Sequence, residues 1–323
     1  MTRYQRQMIL PEVGQDGQKR LAKAHVLVVG AGGLGCPALQ YLTGAGVGRI
    51  TLIDPDHVEE SNLHRQPLYR MSDLGQPKAL AARVHLFAAN PDIEVEARVQ
   101  AIHPDLAEDL VSIADVVIDA ADSFAVSYIL SDACQHARVP LVSASALGQT
   151  GYVGGFCGDK TPSLRAVFSD LPERGGTCAS AGVLGPVVGM IGALQAQITL
   201  QIILQQDPSP MGRMVTLDLK ALQFGGFTFH KAPEPETALP FLSRDALRPE
   251  DQVVELRSSS EAPESASASA QRMKVEDIET YRSDTDRRMV LCCTSGLRAW
   301  RAASRLRAIG HRNLALLAMS ACE

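Results

Sequence analysis

The chain has 323 residues, of which 46% are hydrophobic, 21% charged and 5% aromatic. That is enough for one large domain or two ordinary ones, and the apolar share excludes wholesale disorder. With 31 basic against 36 acidic side chains the net charge is −5, which excludes the electrostatic footprint of a nucleic-acid binder at whole-chain level.

In chain order, the opening Met1-Thr2-Arg3-Tyr4 has no apolar h-region, so the reducing cytoplasm is the expected compartment. Val26–Val29 predicts a short strand ending at Gly30, and Leu34–Ala45 predicts a helix. Arg49–Ile53 predicts a second strand, ending at Asp54. Lys78–Asn90 reads as a helix stopped by Pro91, and Ile93–Val99 as a third strand. Asp115–Asp119 is a strand with an acidic end, Phe124–His136 a helix, and Pro140–Ser143 another strand. Met214–Leu219 and Gln223–Phe229 predict a late antiparallel pair. Strands alternating with helices predict an α/β fold, a Rossmann-like, mostly parallel sheet with helices on both faces. Val183–Leu204 carries no charge over 22 residues but contains Pro186, three glycines and three glutamines. It reads as a buried loop and helix rather than a membrane span. A proline- and acid-rich linker at 231–240 divides a body of residues 1–230 from a small α/β unit at 241–323. Within that unit Ser258–Ala270 reads as a mobile loop.

Gly30-Ala31-Gly32-Gly33-Leu34-Gly35 lies between the first strand and its helix. Glycines there admit a phosphate close to the backbone, and the helix start offers free N–H groups and a positive dipole end. Asp54 ends the next strand, where a carboxylate can accept bonds from ribose hydroxyls. This pattern alone does not separate NAD, FAD and ATP. The polar run that follows, Asp54 to Gln66 with Asp56, Asn62 and Arg65, together with Lys78, is what a triphosphate site needs and a dehydrogenase does not. Asp122 follows the acidic strand and is a candidate Mg²⁺ ligand, since that cation takes one or two carboxylates plus phosphate oxygens.

The motifs RYQRQ (Arg3–Gln7), GAGGLG, DPDHVEESNLHRQ, GQPK (Gly75–Lys78), DAADS and TCASAGVLGPVVG (Thr177–Gly189) stand in the order seen in the ThiF/MoeB/HesA family, and the chain resembles that family over about residues 1–230. The resemblance implies a homodimeric, ATP- and Mg²⁺-dependent adenylyltransferase. Its partner would be a ubiquitin-like sulfur-carrier protein, activated at its C-terminal Gly-Gly carboxylate. It also implies that Gly33 and its neighbours cradle phosphates and that Asp54 takes the ribose. Asn62, Arg65 and Lys78 would contact the triphosphate, Arg6 would reach across the dimer, and Asp122 would bind Mg²⁺. Cys178 matches a cysteine used by some relatives in sulfur or thioester chemistry, with Arg174 and Gly175-Gly176 beside it. Relatives usually hold structural zinc through two C-x-x-C pairs. Here the corresponding stretches, Thr161–Val167 and Lys231–Glu236, contain no cysteine, so no structural zinc is expected. Ser123 stands where relatives usually have Asn.

In the tail, Met289–Arg298 is an apolar strand running into C-x-x-G-x-R, then a helix at Ala299–Ile309. This resembles the active loop of rhodanese domains, with Cys293 as the persulfide cysteine and Cys292 buried in the strand; Val253–Arg257 matches their opening strand loosely. The seven arginines from Arg287 to Arg312 form either a solvated face or a surface that steers an acidic carrier. Two alternatives stay open: a scaffold that binds a carrier without turnover, and an NAD- or FAD-dependent oxidoreductase.

Overall fold

Every residue of β1 (His25–Val29) is buried, as expected of a strand inside a parallel sheet covered on both faces. The computed structural model, which describes residues 3–170, 182–281 and 287–321, places it there. Eight strands run in the order β3 (Glu94–Arg98), β2 (Arg49–Ile53), β1, β4 (Val116–Asp119), β5 (Pro140–Leu147), β6 (Thr150–Cys157), β7 (Arg213–Asp218) and β8 (Gln223–Thr228). Pairing is parallel from β3 to β5 and antiparallel from β5 to β8. The chain moves outward from β1 to β3 and returns on the other side of β1 as β4. That reversal opens a crevice at the carboxyl ends of β1 and β4.

The helices are α1 (Gln5–Met8), α2 (Gly14–Lys23), α3 (Gly35–Ala45), α4 (Lys78–Ala89), α5 (Pro104–Val111), α6 (Phe124–Ala137), α7 (Leu164–Val167), α8 (Gly185–Ile203) and α9 (Leu297–Ala308). Alternation along the strands assigns their faces. Val26, Val28, Ile50 and Ile118 pack with residues of α3, α4 and α8. Leu27, Val29 and Val117 pack with residues of α5 and α6. The uncharged stretch is α8, whose 19 residues are long and apolar enough to cross a membrane, yet Val187, Val188, Ile191, Gln195 and Thr199 are buried inside the protein. Its glutamines explain this: Gln195 donates to the Asp119 and Val142 carbonyls at 2.7 and 3.3 Å. The strand β6 had no sequence signal, because the glycines of TGYVGGFC interrupt its apolar pattern.

A second, all-parallel sheet has the order β10 (Gln271–Arg272), β9 (Gln252–Glu255), β11 (Met289–Cys293), β12 (Leu314–Ala318). Its inner face shares one hydrophobic cluster with α6 and the end of β6. Trp300 of α9 stacks on Tyr128 of α6 with centroids 5.2 Å apart. The Arg165 guanidinium lies 4.4 Å from the Tyr128 centroid, and Asp132 and the Leu239 carbonyl accept its N–H groups.

The two stretches where the resemblance would put zinc ligands are joined by other chemistry. Glu234 accepts the Ser163 backbone N–H at 2.7 Å and its hydroxyl at 2.6 Å. Neither stretch offers a thiolate, so the residues present do not suit zinc. The Ser258–Ala270 tract departs from the mobile loop expected of its composition. Ala262 and Ala266 are buried, Glu255 accepts the Ala266 N–H at 3.1 Å, and Arg272 donates to the Ala262 and Pro263 carbonyls. The arginine-rich face is also tied down. Arg288 pairs with Asp251, Arg298 with Glu261 and Arg305 with Glu279, and Arg307 donates to Thr237.

Candidate nucleotide site

The glycine turn closes on the crevice. Gly30 has φ +101°, and a Cβ there would strike the Ala120 carbonyl of the loop after β4. Gly32 is the open position, since a Cβ would meet only the Gln66 amide nitrogen, at 3.7 Å. Gln66 is buried, and its Oε1 has no hydrogen-bond partner among the described residues. An open glycine turn faced by an amide N–H donor fits an anionic ligand lying against the backbone.

Asp54 is buried at the end of β2. One carboxylate oxygen accepts the Ala31 N–H at 2.6 Å and the other the Asp56 N–H at 2.8 Å. Burial raises its carboxyl above the usual range, and those two N–H groups work against the rise. Asp54 therefore braces the turn from below. Lys78, the first residue of α4, has a buried side chain that reaches the exposed Asp56 at 2.8 Å. These two expected ligands pair with each other. Asn62 is turned into its own loop, accepting from the Glu59 N–H at 3.3 Å. Arg65 donates to the Ser61 carbonyl at 2.9 Å, and Gly185 at the start of α8 packs on the backbone of His64 and Arg65. Asp122 is exposed on the loop after β4 and bonds to no described residue.

Arg6 is not brought to this turn. Tyr4 packs on Gly46 and Gln7 donates to the Ala45 carbonyl, both at the far end of α3. The glycine turn is at the near end, and 11 residues of helix separate the two by about 16 Å. Arg6 itself is exposed. Cys178 lies outside the described residues.

Cys293 ends β11, and the Ala299 N–H points at its Sγ at 3.4 Å, as a strand-to-helix cysteine loop should. The thiol is nevertheless fully buried, and desolvation raises it above its ordinary range despite Ala299 and Arg298. The resemblance to an active rhodanese loop is thus one of backbone geometry: in the docked tail, the apolar contacts around the thiol outweigh the helix start. Glu261 accepts from both Thr294 and Arg298, closing the loop from outside. Cys292 is buried too, its thiol pushed up strongly by desolvation.

Sequence reasoning missed Tyr69, whose hydroxyl donates to the Ala31 carbonyl at 2.8 Å and lies 3.3 Å from that of Lys78. It marked Asp119 only as the acidic end of its strand and assigned no role to Ser143 and Gln195, which bond to it. Among the described residues no group of three or more His, Cys, Asp or Glu could share a metal ion. Asp122 is thus a single carboxylate whose cation would need oxygens from a ligand.

Comparison with known proteins identifies the family. The family model described as "ThiF family" matches residues 4–239. The chain is 40% identical over 240 residues to the sulfur carrier protein adenylyltransferase of Thermus thermophilus, covering 72% of this chain and 89% of the relative. It is 44% identical over 220 residues to the adenylyltransferase and sulfurtransferase MOCS3 of Culex quinquefasciatus, covering 68% of this chain and 50% of that one. The chain thus spans about half the length of the MOCS3 relatives it matches. Among solved structures, E. coli MccB with ATP superposes with a TM-score of 0.61 at 22% identity, covering 73% of this chain and 72% of that one; at that identity the likeness concerns the fold alone. With a glycine turn, an acidic switch-point loop and a family match over most of its length, the chain belongs to the ThiF family.

Proposed function

We propose that the protein is an ATP-dependent adenylyltransferase that activates the C-terminal Gly-Gly carboxylate of a ubiquitin-like sulfur carrier. One observation carries the reading: the open Gly32 position faced by the Gln66 amide nitrogen, with Lys78 at the start of α4 and Asp122 in the loop after β4. The Thermus relative, matched along most of its length, is named for that reaction. The carrier's terminal carboxylate attacks the α-phosphate of ATP, forming an acyl-adenylate and releasing pyrophosphate. The protein's task is to bring two anions together and to offset charge on the departing group. Lys78 exchanges Asp56 for phosphate oxygens, and Arg65 releases the Ser61 carbonyl to do the same. Asp122 would hold a Mg²⁺ ion, which would supply further neutralisation. Asp54 keeps the turn in place and takes the ribose with its remaining lone pairs. Arg6, a helix-length from its own turn, serves the turn of a second copy in a homodimer.

The test is carrier-dependent exchange of radiolabelled pyrophosphate into ATP. Arg65→Ala and Asp122→Ala abolish it. Carrier binding with no exchange would leave a scaffold, and a nicotinamide or flavin ligand would make the protein an oxidoreductase.

A second reading, sulfur donation from Cys293, is favoured by the Ala299 N–H aimed at its sulfur. In that reading the buried thiol becomes reactive only after the loop opens. Incubation with thiosulfate should then add one sulfur to the Cys293 peptide, the thiolate attacking the outer sulfur and sulfite leaving as the S–S bond of thiosulfate breaks; an unchanged mass would remove this step.

A further inference from the structure

The end of β4 carries a feature the proposed mechanism does not use. Asp119 is completely buried, and no described Lys, Arg or His pairs with it. A buried carboxylate without a cation is costly, so its retention calls for a reason. Its two oxygens serve different elements, and the Ser127 hydroxyl of α6 also stabilises the carboxylate. Oδ2 accepts the hydroxyl of Ser143, its register partner on β5, at 2.7 Å. Oδ1 accepts the Ala121 N–H at 3.3 Å. From the opposite face of the sheet, Gln195 of α8 donates to the Asp119 carbonyl at 2.7 Å. The loop held in this way is the floor of the glycine turn: Ala120 donates to the Val29 carbonyl at 2.9 Å and packs directly on Gly30 and Gly35. Its crest is Asp122.

We propose that Asp119 is a positioning residue for nucleotide binding, its paired acceptors fixing the 120–123 loop so that Asp122 faces the outer phosphates. The inference rests on the nucleotide reading above. Only a carboxylate supplies one acceptor to β5 and another to the loop. An Asn at this position keeps one acceptor for the Ala121 N–H and must donate to the Ser143 hydroxyl, so both bonds lose the charge assistance of the carboxylate.

The experiment compares dissociation constants of Mg·ATP and of AMP, which lacks the two outer phosphates, on the full chain. The proteins are the wild type, Asp119→Asn, Ser143→Ala and Ser143→Thr, with far-UV circular dichroism as the check on folding. Asp119→Asn should weaken Mg·ATP about tenfold, the worth of one buried hydrogen bond to a charged group, and leave AMP within about twofold. Ser143→Ala should do the same more weakly, and Ser143→Thr, which restores the hydroxyl, should recover wild-type affinity. If Asp119→Asn fails to fold, the Ser143 pair decides. Equal losses for Mg·ATP and AMP would mean general damage to the pocket and would overturn the proposal, as would no loss for either in folded variants. A wild type that binds no Mg·ATP would sink the nucleotide reading itself, and this one with it.

Discussion

Replacing Trp300 by alanine tests how the second sheet is held. Its ring is buried, stacks at 12° on Tyr128, and lies 5.7 Å from the Arg165 guanidinium. Removing a buried tryptophan costs about 3–5 kcal/mol in lost burial and cavity formation. The guanidinium contact adds about 1 kcal/mol. A loss near 4 kcal/mol is large against a typical total of about 5–15 kcal/mol. Arg165 is pinned by Asp132 and the Leu239 carbonyl, so it cannot swing in to fill the gap. Urea unfolding followed by far-UV circular dichroism should show this loss, and limited proteolysis should cut the 231–240 segment faster in the variant. Trp300→Phe, which keeps a stacking ring, should lose less than half as much. A Trp300→Ala variant that loses under about 1 kcal/mol and keeps the wild-type cleavage pattern would refute the claim that the stack joins the two sheets.

Glu234→Ala should lower stability by about 1–3 kcal/mol, because it strands the buried Ser163 N–H and hydroxyl. Thermal unfolding should be unchanged by EDTA, and a chelator-sensitive midpoint would restore a metal to this corner. Tyr69→Phe removes the hydroxyl that ties the turn to α4 and should weaken Mg·ATP by about three- to tenfold; calorimetric titration giving wild-type affinity would dismiss that tie. Glu261→Ala frees Thr294 and Arg298, so alkylation of Cys293 by iodoacetamide, read by peptide mass, should speed up; an unaltered rate would mean the thiol is closed by packing alone. Burial lifts the Asp119 carboxyl from 3.8 to about 6. The folded state therefore holds this proton more tightly than the unfolded chain does. The resulting stabilisation is complete below pH 3.8 and is lost as pH rises through about 6. Urea midpoints across that window should fall less steeply with pH in Asp119→Asn, and parallel curves would contradict the shift.

The sequence alone determined the parallel core, because β1, β2 and β4 are short, mostly apolar runs alternating with helical segments, and each ends in a residue with chemistry: Gly30, Asp54 and Asp119. It also determined the glycine turn, since the spacing of those glycines is a backbone requirement that no distant residue can replace. Only the tertiary structure decided what the polar residues do. Asp54 proved to be a brace because Ala31, distant in sequence, points its N–H at it. Lys78 proved to be paired with Asp56. The Ser/Ala tract looked mobile by composition, yet Glu255 and Arg272, outside it, hold it down. Cys293 reads locally as a reactive loop cysteine, but docking of the tail on α6 buries it. Periodicity and turn chemistry are local and can be read along the chain. Burial, hydrogen-bond partners and the charge state they impose come from residues that meet only when the sheets pack.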